Sequence, residues 1–360
     1  MAFLIRTGGD IDDRNTARGN RNEIPVEHTR LDMERPSMNY LDELVGNFWV
    51  YRRLQFGDRD LIFETASVSR TRPPVFHQRF AGENLLYAPN TSKDERGHLE
   101  VLLPFPKRHK WFRSMKSSQA LAQSVFGNLF LSEKLNCLDA LKGDGGQSLF
   151  APREKQNGKR HCKLEHEIQH LGEDPKRCTS VDVLIGTDYK IGIECKLTED
   201  KVGSCSRPEL KPNDDRYERQ FCNGRYELQR SRTEFCPLSE IGIKYWKFVP
   251  NLFKWSADAA LNPCPLNSNY QLVRSVLAIC VQPDGSVRTD CGHVVLLYDE
   301  RNPAFGQNGK GLKAWNDVKA ALKVPELLQK CTWQQVAASL RRCPEMMWLA
   351  KGLKCKYGLV

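Results

Sequence analysis

The chain has 360 residues and a formal net charge of +10, with 40% hydrophobic residues and 13 cysteines. That length can bury a large core, as one elaborated domain or two small ones. The positive balance suits a polyanionic partner without separating DNA from RNA or an acidic protein. Met1-Ala2-Phe3-Leu4-Ile5 stops at Arg6, and no apolar run has the length of a signal peptide or a membrane span. The odd cysteine count, with no Cys-x-x-Cys, predicts free thiols in a reducing cytoplasm rather than a disulfide framework.

Residues 1–37 are polar and of mixed charge, which predicts a mobile extension rather than a basic arm. Residues 38–104 hold short apolar runs such as Leu61-Ile62-Phe63 and predict an accessory region. A principal core is expected over 105–345, with a tail over 346–360. Lys107, Arg108, Lys110 and Arg113 flank Trp111 and Phe112 in a stretch with no acid, a composition that suits phosphate contact and base stacking. The alternative is a solvated loop with two aromatics pinned into the core. Ser117 or Ser118 can cap a helix over 118–131, where Leu121, Ala122, Val125, Leu129 and Phe130 form a core stripe. Gly143-Asp144-Gly145-Gly146 breaks the chain after it.

Glu165 and Glu167 follow in Cys-Lys-Leu-Glu-His-Glu-Ile. On a strand the two acids share a face; on a helix they diverge by about 200°. His161, Cys162, His166, His170 and Cys178 raise a zinc alternative, but they fit no finger spacing, and Cys162, His166 and His170 align only on a helix.

The richest signal lies between Val181 and Leu197. Val181, Val183 and Ile185 alternate on one strand, and Ile191, Ile193 and Cys195 on the next, around Gly186-Thr187-Asp188. A fold about Asp188 sets Asp182 opposite Glu194, with Lys196 following on the same face. Two carboxylates about 4 Å apart repel by roughly 4 kcal/mol at an effective dielectric near 20. Lys196 offsets part of this, and a divalent cation with hard oxygen ligands, Mg²⁺ or Mn²⁺, would offset the rest. A solvated hairpin is the bland alternative.

Beyond the hairpin, Arg216, Arg219, Arg225, Arg230 and Arg232 alternate with Tyr217, Phe221 and Tyr226, which suits phosphate contact as well as it suits surface ion pairs to Glu218 and Glu227. A helix over 269–281 carries Gln271 and Arg274 off its apolar side. His293 to Tyr298 reads as a buried strand, and 311–323 and 332–342 as closing helices, the second capped by Thr332.

In Asp182…Glu194-Cys195-Lys196 the chain resembles the PD-(D/E)XK, or restriction-endonuclease-like, nuclease superfamily, with Val181 where the literal proline would stand. It is similar, more closely, to a bacterial family of putative restriction endonucleases. The blocks that carry this are Ser117–Leu129, Glu165–Ile168, Thr179–Asp182, Ile193–Glu199, Tyr270–Arg274, Leu296–Tyr298 and Asn302-Pro303, over roughly residues 80–340. The resemblance implies an α/β fold, a central mixed β-sheet flanked by helices, with the 1–37 segment as an N-terminal extension. It implies a metal-dependent endonuclease acting on DNA, most readily double-stranded, in restriction or defence. Asp182, Glu194 and the Cys195 carbonyl would hold the metal and Lys196 the attacking water. It also favours a strand at Glu165 and Glu167 and makes either the third acid, Glu167 being preferred. A homodimer is compatible with this reading. The rival readings are a catalytically silent DNA-binding or assembly module on the same fold, and a metal-free RNA-binding protein.

Overall fold

The structure, a computed structural model, describes residues 39–57, 59–64, 70–143, 145–151, 160–174, 178–226 and 232–360. The expected extension over 1–37 lies outside the described residues, as do Glu227 and Arg230. Residues 39–360 cluster as a compact unit.

Five strands form one sheet in sequence order: β1 (Cys162–Ile168), β2 (Thr179–Ile185), β3 (Lys190–Cys195), β4 (Gly292–Tyr298) and β5 (Leu328–Thr332). β1, β2 and β3 are antiparallel neighbours; β3, β4 and β5 run parallel. The mixed α/β class is therefore as the sequence predicts. Parallel neighbours need helical crossovers, and Leu266–Cys280 connects β3 to β4 as Lys310–Ala321 connects β4 to β5. Strands buried on both faces read as unbroken apolar runs, which is why Val294-Val295-Leu296-Leu297 is apolar throughout.

Two cores lie on either side of the sheet. One face carries Val183, Ile185, Ile191, Ile193, Cys195, Val295 and Leu297, covered by helices Tyr40–Phe56, Ser118–Ala122, Trp333–Arg341 and Met347–Tyr357. The other carries Val181, Leu184, Val294, Leu296 and Leu328, covered by Tyr245–Leu252, Leu266–Cys280 and Lys310–Ala321. Gly192 lets the Leu266–Cys280 helix lie close on β3: a Cβ there would come within 2.9 Å of Ile279 Cδ1.

Three sequence expectations change. Residues 346–360, expected as a tail, hold the helix Met347–Tyr357, whose Leu349, Leu353 and Tyr357 are fully buried against Phe48 and its neighbours. Val181 joins the opposite core from Val183, because the strand changes face at Asp182. Not every thiol is free: Cys137 and Cys343 form a disulfide, with Cα atoms 6.2 Å apart, while the other eleven cysteines are unpaired. A sequence separation of 206 residues left that pairing without a local signal.

The helix expected over 118–131 is continuous in direction but changes character. Ser118–Ala122 is α-helical, Gln123–Gly127 is a π-helical turn, and Asn128–Leu131 is α-helical again. Ser117 caps it, accepting from Ala120 N at 3.2 Å. Such π-turns frequently accompany functional sites, and the start of this helix reaches the site described next.

Candidate active site

The β2–β3 ladder pairs Val183 with Ile193, Leu184 with Gly192 and Ile185 with Ile191. Continued one step, that register sets Asp182 across from Glu194, as the fold about Asp188 requires. The strands separate there, and Asp182 Oδ2 accepts the Cys195 backbone N–H at 2.7 Å. Glu194 is 1% exposed on its side chain and Lys196 is 8% exposed, and the two form an ion pair with Nζ 2.8 Å from Oε1.

Gln271, at the start of the Leu266–Cys280 helix, completes this pair. Its Oε1 accepts from Lys196 Nζ at 2.9 Å and its Nε2 donates to Glu194 Oε1. Ser275, one turn on, donates to Glu194 Oε2 at 3.3 Å. Lysine, glutamate and glutamine thus share one closed set of hydrogen bonds, which is how a buried charge avoids a large desolvation cost.

Glu165 approaches from β1. It faces Asp182 in the β1–β2 register, and its carboxylate accepts from Gln119 Nε2 at 2.6 Å and Ser180 Oγ at 2.9 Å. Its φ of +47° is a conformation that non-glycine residues adopt uncommonly. The consequence is visible on either side. Leu164 packs into one core and Ile168 into the other, although ordinary alternation would put them on one face. The preferred third acid, Glu167, is therefore displaced. It is 41% exposed, pairs with Lys107 at 3.3 Å and borders a separate surface recess with His166 and His170. Glu165 is the acid at the site.

Electrostatics follow from burial. The Asp182 carboxyl is pushed well above the usual carboxylate range by burial, then by Glu194 and Glu165, against the pull of Lys196 and the Cys195 N–H. Glu165 is raised by burial, which outweighs its hydrogen bonds from Gln119 and Ser180, with Glu194 adding to the rise. Burial acts to lower the Lys196 ammonium, but the charges of Glu194, Asp182 and Glu199 outweigh it and raise the group above its ordinary value. Lys196 holds its proton in this arrangement.

These residues line a cavity of about 960 Å³ with Ser118, Gln119, Thr198, Glu199, His109, Trp111 and Lys116. Several of the supports were not legible in the sequence. Ser118 Oγ donates to Glu199 Oε1 at 2.7 Å, and Glu199 Oε2 accepts the Leu197 N–H at 2.6 Å. Trp333 Nε1 donates to Lys196 O at 3.0 Å, Tyr40 Oη to Leu197 O at 2.7 Å, and Asn302 Nδ2 to Leu197 O at 2.8 Å. Only the order of the matching blocks pointed at Ser118, Gln119, Glu199 and Asn302; nothing pointed at Tyr40 or Trp333.

The expected nucleic-acid contacts divide. Trp111 is 51% exposed at the cavity, with Lys110 Nζ 5.6 Å from its ring, whereas Phe112 is buried. Lys107 and Lys110 stay at the surface. Arg108 does not: it donates to Leu103 O and Glu100 O, both at 2.9 Å, and stacks on Phe112. Arg113 is held by Glu64 and by Phe76 O at 3.1 Å. Arg219 and Arg225 are exposed and do not line the cavity. Arg274 points away from it into a neighbouring cleft with Arg207 and Arg216. The histidine-rich zinc alternative fails because β1 is a strand: Cys162 packs on the core, while His170 Nε2 meets Val281 O at 2.9 Å.

Oxygen donors from Asp182, Glu194 and Glu165 match a hard divalent cation, and the burial and mutual repulsion that raise Asp182 and Glu165 are what such a cation offsets. As the side chains stand, no three His, Cys, Asp or Glu among the described residues are closed around a common metal position. Glu194 would have to exchange Lys196 and Gln271 for the ion.

A mixed sheet with two acids and a lysine gathered at the end of its central hairpin defines a restriction-endonuclease-like protein. The chain belongs to the family described as "Restriction Endonuclease associating with ARP", which matches residues 51–358. No curated protein and no solved structure gives a match. Among the described residues no helix is long and apolar enough to cross a membrane.

Proposed function

We propose that this protein is a Mg²⁺- or Mn²⁺-dependent endonuclease that hydrolyses phosphodiester bonds of double-stranded DNA, serving restriction or defence. The observation that carries this is the buried Lys196–Glu194 pair beside Asp182, opening on a cavity rimmed by Trp111 and Lys116. Asp182, Glu194 and the Cys195 carbonyl would hold the cation, with Glu165 as the third acid. A bound divalent cation supplies charge neutralisation and Lewis-acid polarisation at the phosphate.

The chain's own residues do the rest. Lys196, at the cavity wall, would orient the attacking water and stabilise charge developing on the phosphate. Gln271 keeps the ammonium at the cavity wall through its 2.9 Å contact. Glu165, fixed by Gln119 and Ser180, faces the same space and can accept a proton from the water. Lys116, Lys110 and Lys107 supply sequence-independent phosphate attraction. Trp111 offers a stacking face.

The occupied state of Glu194 favours a second reading, a DNA-binding or assembly module that does not cut. Incubating plasmid and linear DNA with the protein and Mg²⁺ or Mn²⁺, beside the Lys196→Ala variant, separates the two. Cleavage by the parent chain and not by the variant supports the enzyme. Binding without cleavage under every metal supports the module.

A further inference from the structure

From β3 to the helix Leu266–Cys280 the described chain holds only short helices: Arg207–Glu209, Tyr217–Gln220, Pro237–Glu240 and Tyr245–Leu252. Four cysteines from four separate points of this stretch, Cys205, Cys222, Cys236 and Cys264, line one cavity of about 10 Å³. That is room for a single water-sized body. All four are unpaired, and none belongs to the site described above.

The backbone around each sulfur repeats one pattern. Arg207 N donates to Cys205 Sγ at 3.5 Å and Gly224 N to Cys222 Sγ at 3.3 Å. The N–H groups of Leu238 and Ser239 lie towards the Cys236 sulfur, and that of Leu266 towards Cys264, near enough to act on each electrostatically. In all four, the residue two positions on turns its N–H back to the sulfur. At Cys222 the turn needs Gly224, whose φ is +79°. A thiol accepts hydrogen bonds weakly, whereas a metal-bound thiolate is stabilised by such donors. Three of the turns, those of Cys205, Cys222 and Cys264, are also tied to one another: Cys205 N donates to Asn267 O at 2.8 Å and Cys264 N to Gly224 O at 3.0 Å.

We propose that Cys205, Cys222, Cys236 and Cys264 are the four ligands of a structural zinc ion. Four soft sulfurs drawn in on one ion would make a closed tetrahedral set, the signature of a structural rather than a catalytic centre. The cavity is sized for one ion and not for an iron–sulfur cluster. The charge fits as well: Zn²⁺ with four thiolates carries two negative charges, Arg207 lines the cavity, and the buried Arg232 lies within electrostatic range of Cys222 and Cys236. Binding converts the four thiols to thiolates and releases four protons as four Zn–S bonds form. As the side chains stand, the four sulfurs are not closed around a common metal position and must close in on the ion; the backbone around them is already in place.

The ion would stand next to Pro265, the cap of the helix that brings Gln271 and Ser275 to Glu194. It therefore holds a segment with little regular structure and sets the start of that helix, whether or not the chain cuts DNA.

The test is elemental analysis of the full chain purified under reducing conditions without chelator. The expected result is one zinc per chain, reduced by about tenfold or more in Cys222→Ser/Cys264→Ser and retained in the exposed control Cys355→Ser. Because the double variant can fail to fold, the parent chain is also stripped and titrated with Co²⁺. Intense tetrahedral d–d bands and a sulfur-to-cobalt charge-transfer band at one equivalent support the site. A folded, reduced chain that contains no zinc and gives no such bands overturns it. So do iron with a cluster spectrum, or disulfides among these four cysteines.

Discussion

Replacing Lys196 by methionine tests the centre of the site without depending on activity. Lys196 Nζ lies 2.8 Å from Glu194 Oε1, and both side chains are almost wholly buried. At an effective dielectric near 20 the gross attraction is about 6 kcal/mol. Part of it is offset, because methionine no longer has to be desolvated as a cation. What remains is a buried carboxylate left without its partner, typically about 3–5 kcal/mol. Gln271 and Ser275 still donate to Glu194, so the lower end, about 3 kcal/mol, is expected for Lys196→Met. Replacing both partners, Lys196→Met with Glu194→Gln, removes the charges together and should return to within about 1 kcal/mol of the parent. Urea unfolding, followed by the fluorescence of the seven tryptophans with no added Mg²⁺ or Mn²⁺, measures the full cycle. A loss below about 1 kcal/mol for Lys196→Met, or a double variant no more stable than the single one, refutes the coupled buried pair. In the nuclease assay, Lys196→Ala should lower turnover by about 10²–10⁴ with DNA affinity retained.

Asp182→Asn should abolish cleavage and stabilise the metal-free protein. The Asp182 carboxyl is raised on folding, so its contribution is fully present below the ordinary aspartate value and is lost as pH rises through the raised one; a chemical-denaturation series from pH 5 to 8 should fall less steeply in the variant. Glu165→Gln should reduce cleavage strongly while Glu167→Gln leaves it near parent, and equal losses in a plasmid assay would return the third acid to Glu167. Neutralising Lys107, Lys110 and Lys116 should weaken DNA binding across sequences and flatten the slope of log affinity against log salt by up to about 3. Arg108→Ala should lower the thermal midpoint instead, since that side chain ties two backbone carbonyls. Trp111→Ala should cost about 1–3 kcal/mol of affinity for single-stranded ends, read by fluorescence anisotropy.

Local pattern carried much of this site to the surface of the sequence. Period-two alternation fixes which residues of β2 and β3 meet, and the turn at Gly186-Thr187-Asp188 fixes the register, so Asp182 and Glu194 could be paired from spacing alone. The helix carrying Gln271 was legible from its apolar stripe, but not which of Gln271 and Arg274 faced the acids: that depends on how Gly192 lets Ile279 settle on β3. Alternation puts Glu165 and Glu167 on one face of an unbroken strand and cannot choose between them; the positive φ at Glu165 separates the two. Arg108 and Arg113 read as DNA contacts because sequence records charge and not the carbonyls within reach. The thiol cluster had no signature, since its four turns lie 14 to 28 residues apart along the chain and meet only in space.

The clamp on residues 196–197 carries a consequence for how competence is acquired. The carbonyls after Glu194 are held by Tyr40, Asn302 and Trp333, from partners 157, 105 and 137 residues away. Contacts of that span close late, because the loop entropy must be overcome before they stabilise anything. A partly folded chain, or one shortened past Tyr40, can form the β2–β3 hairpin and still leave Lys196 unaimed. On the proposed nuclease reading, the hazard to the host cell is tied to completion of the whole fold, and fragments from proteolysis or interrupted synthesis are expected to be harmless even when they keep Asp182, Glu194 and Lys196.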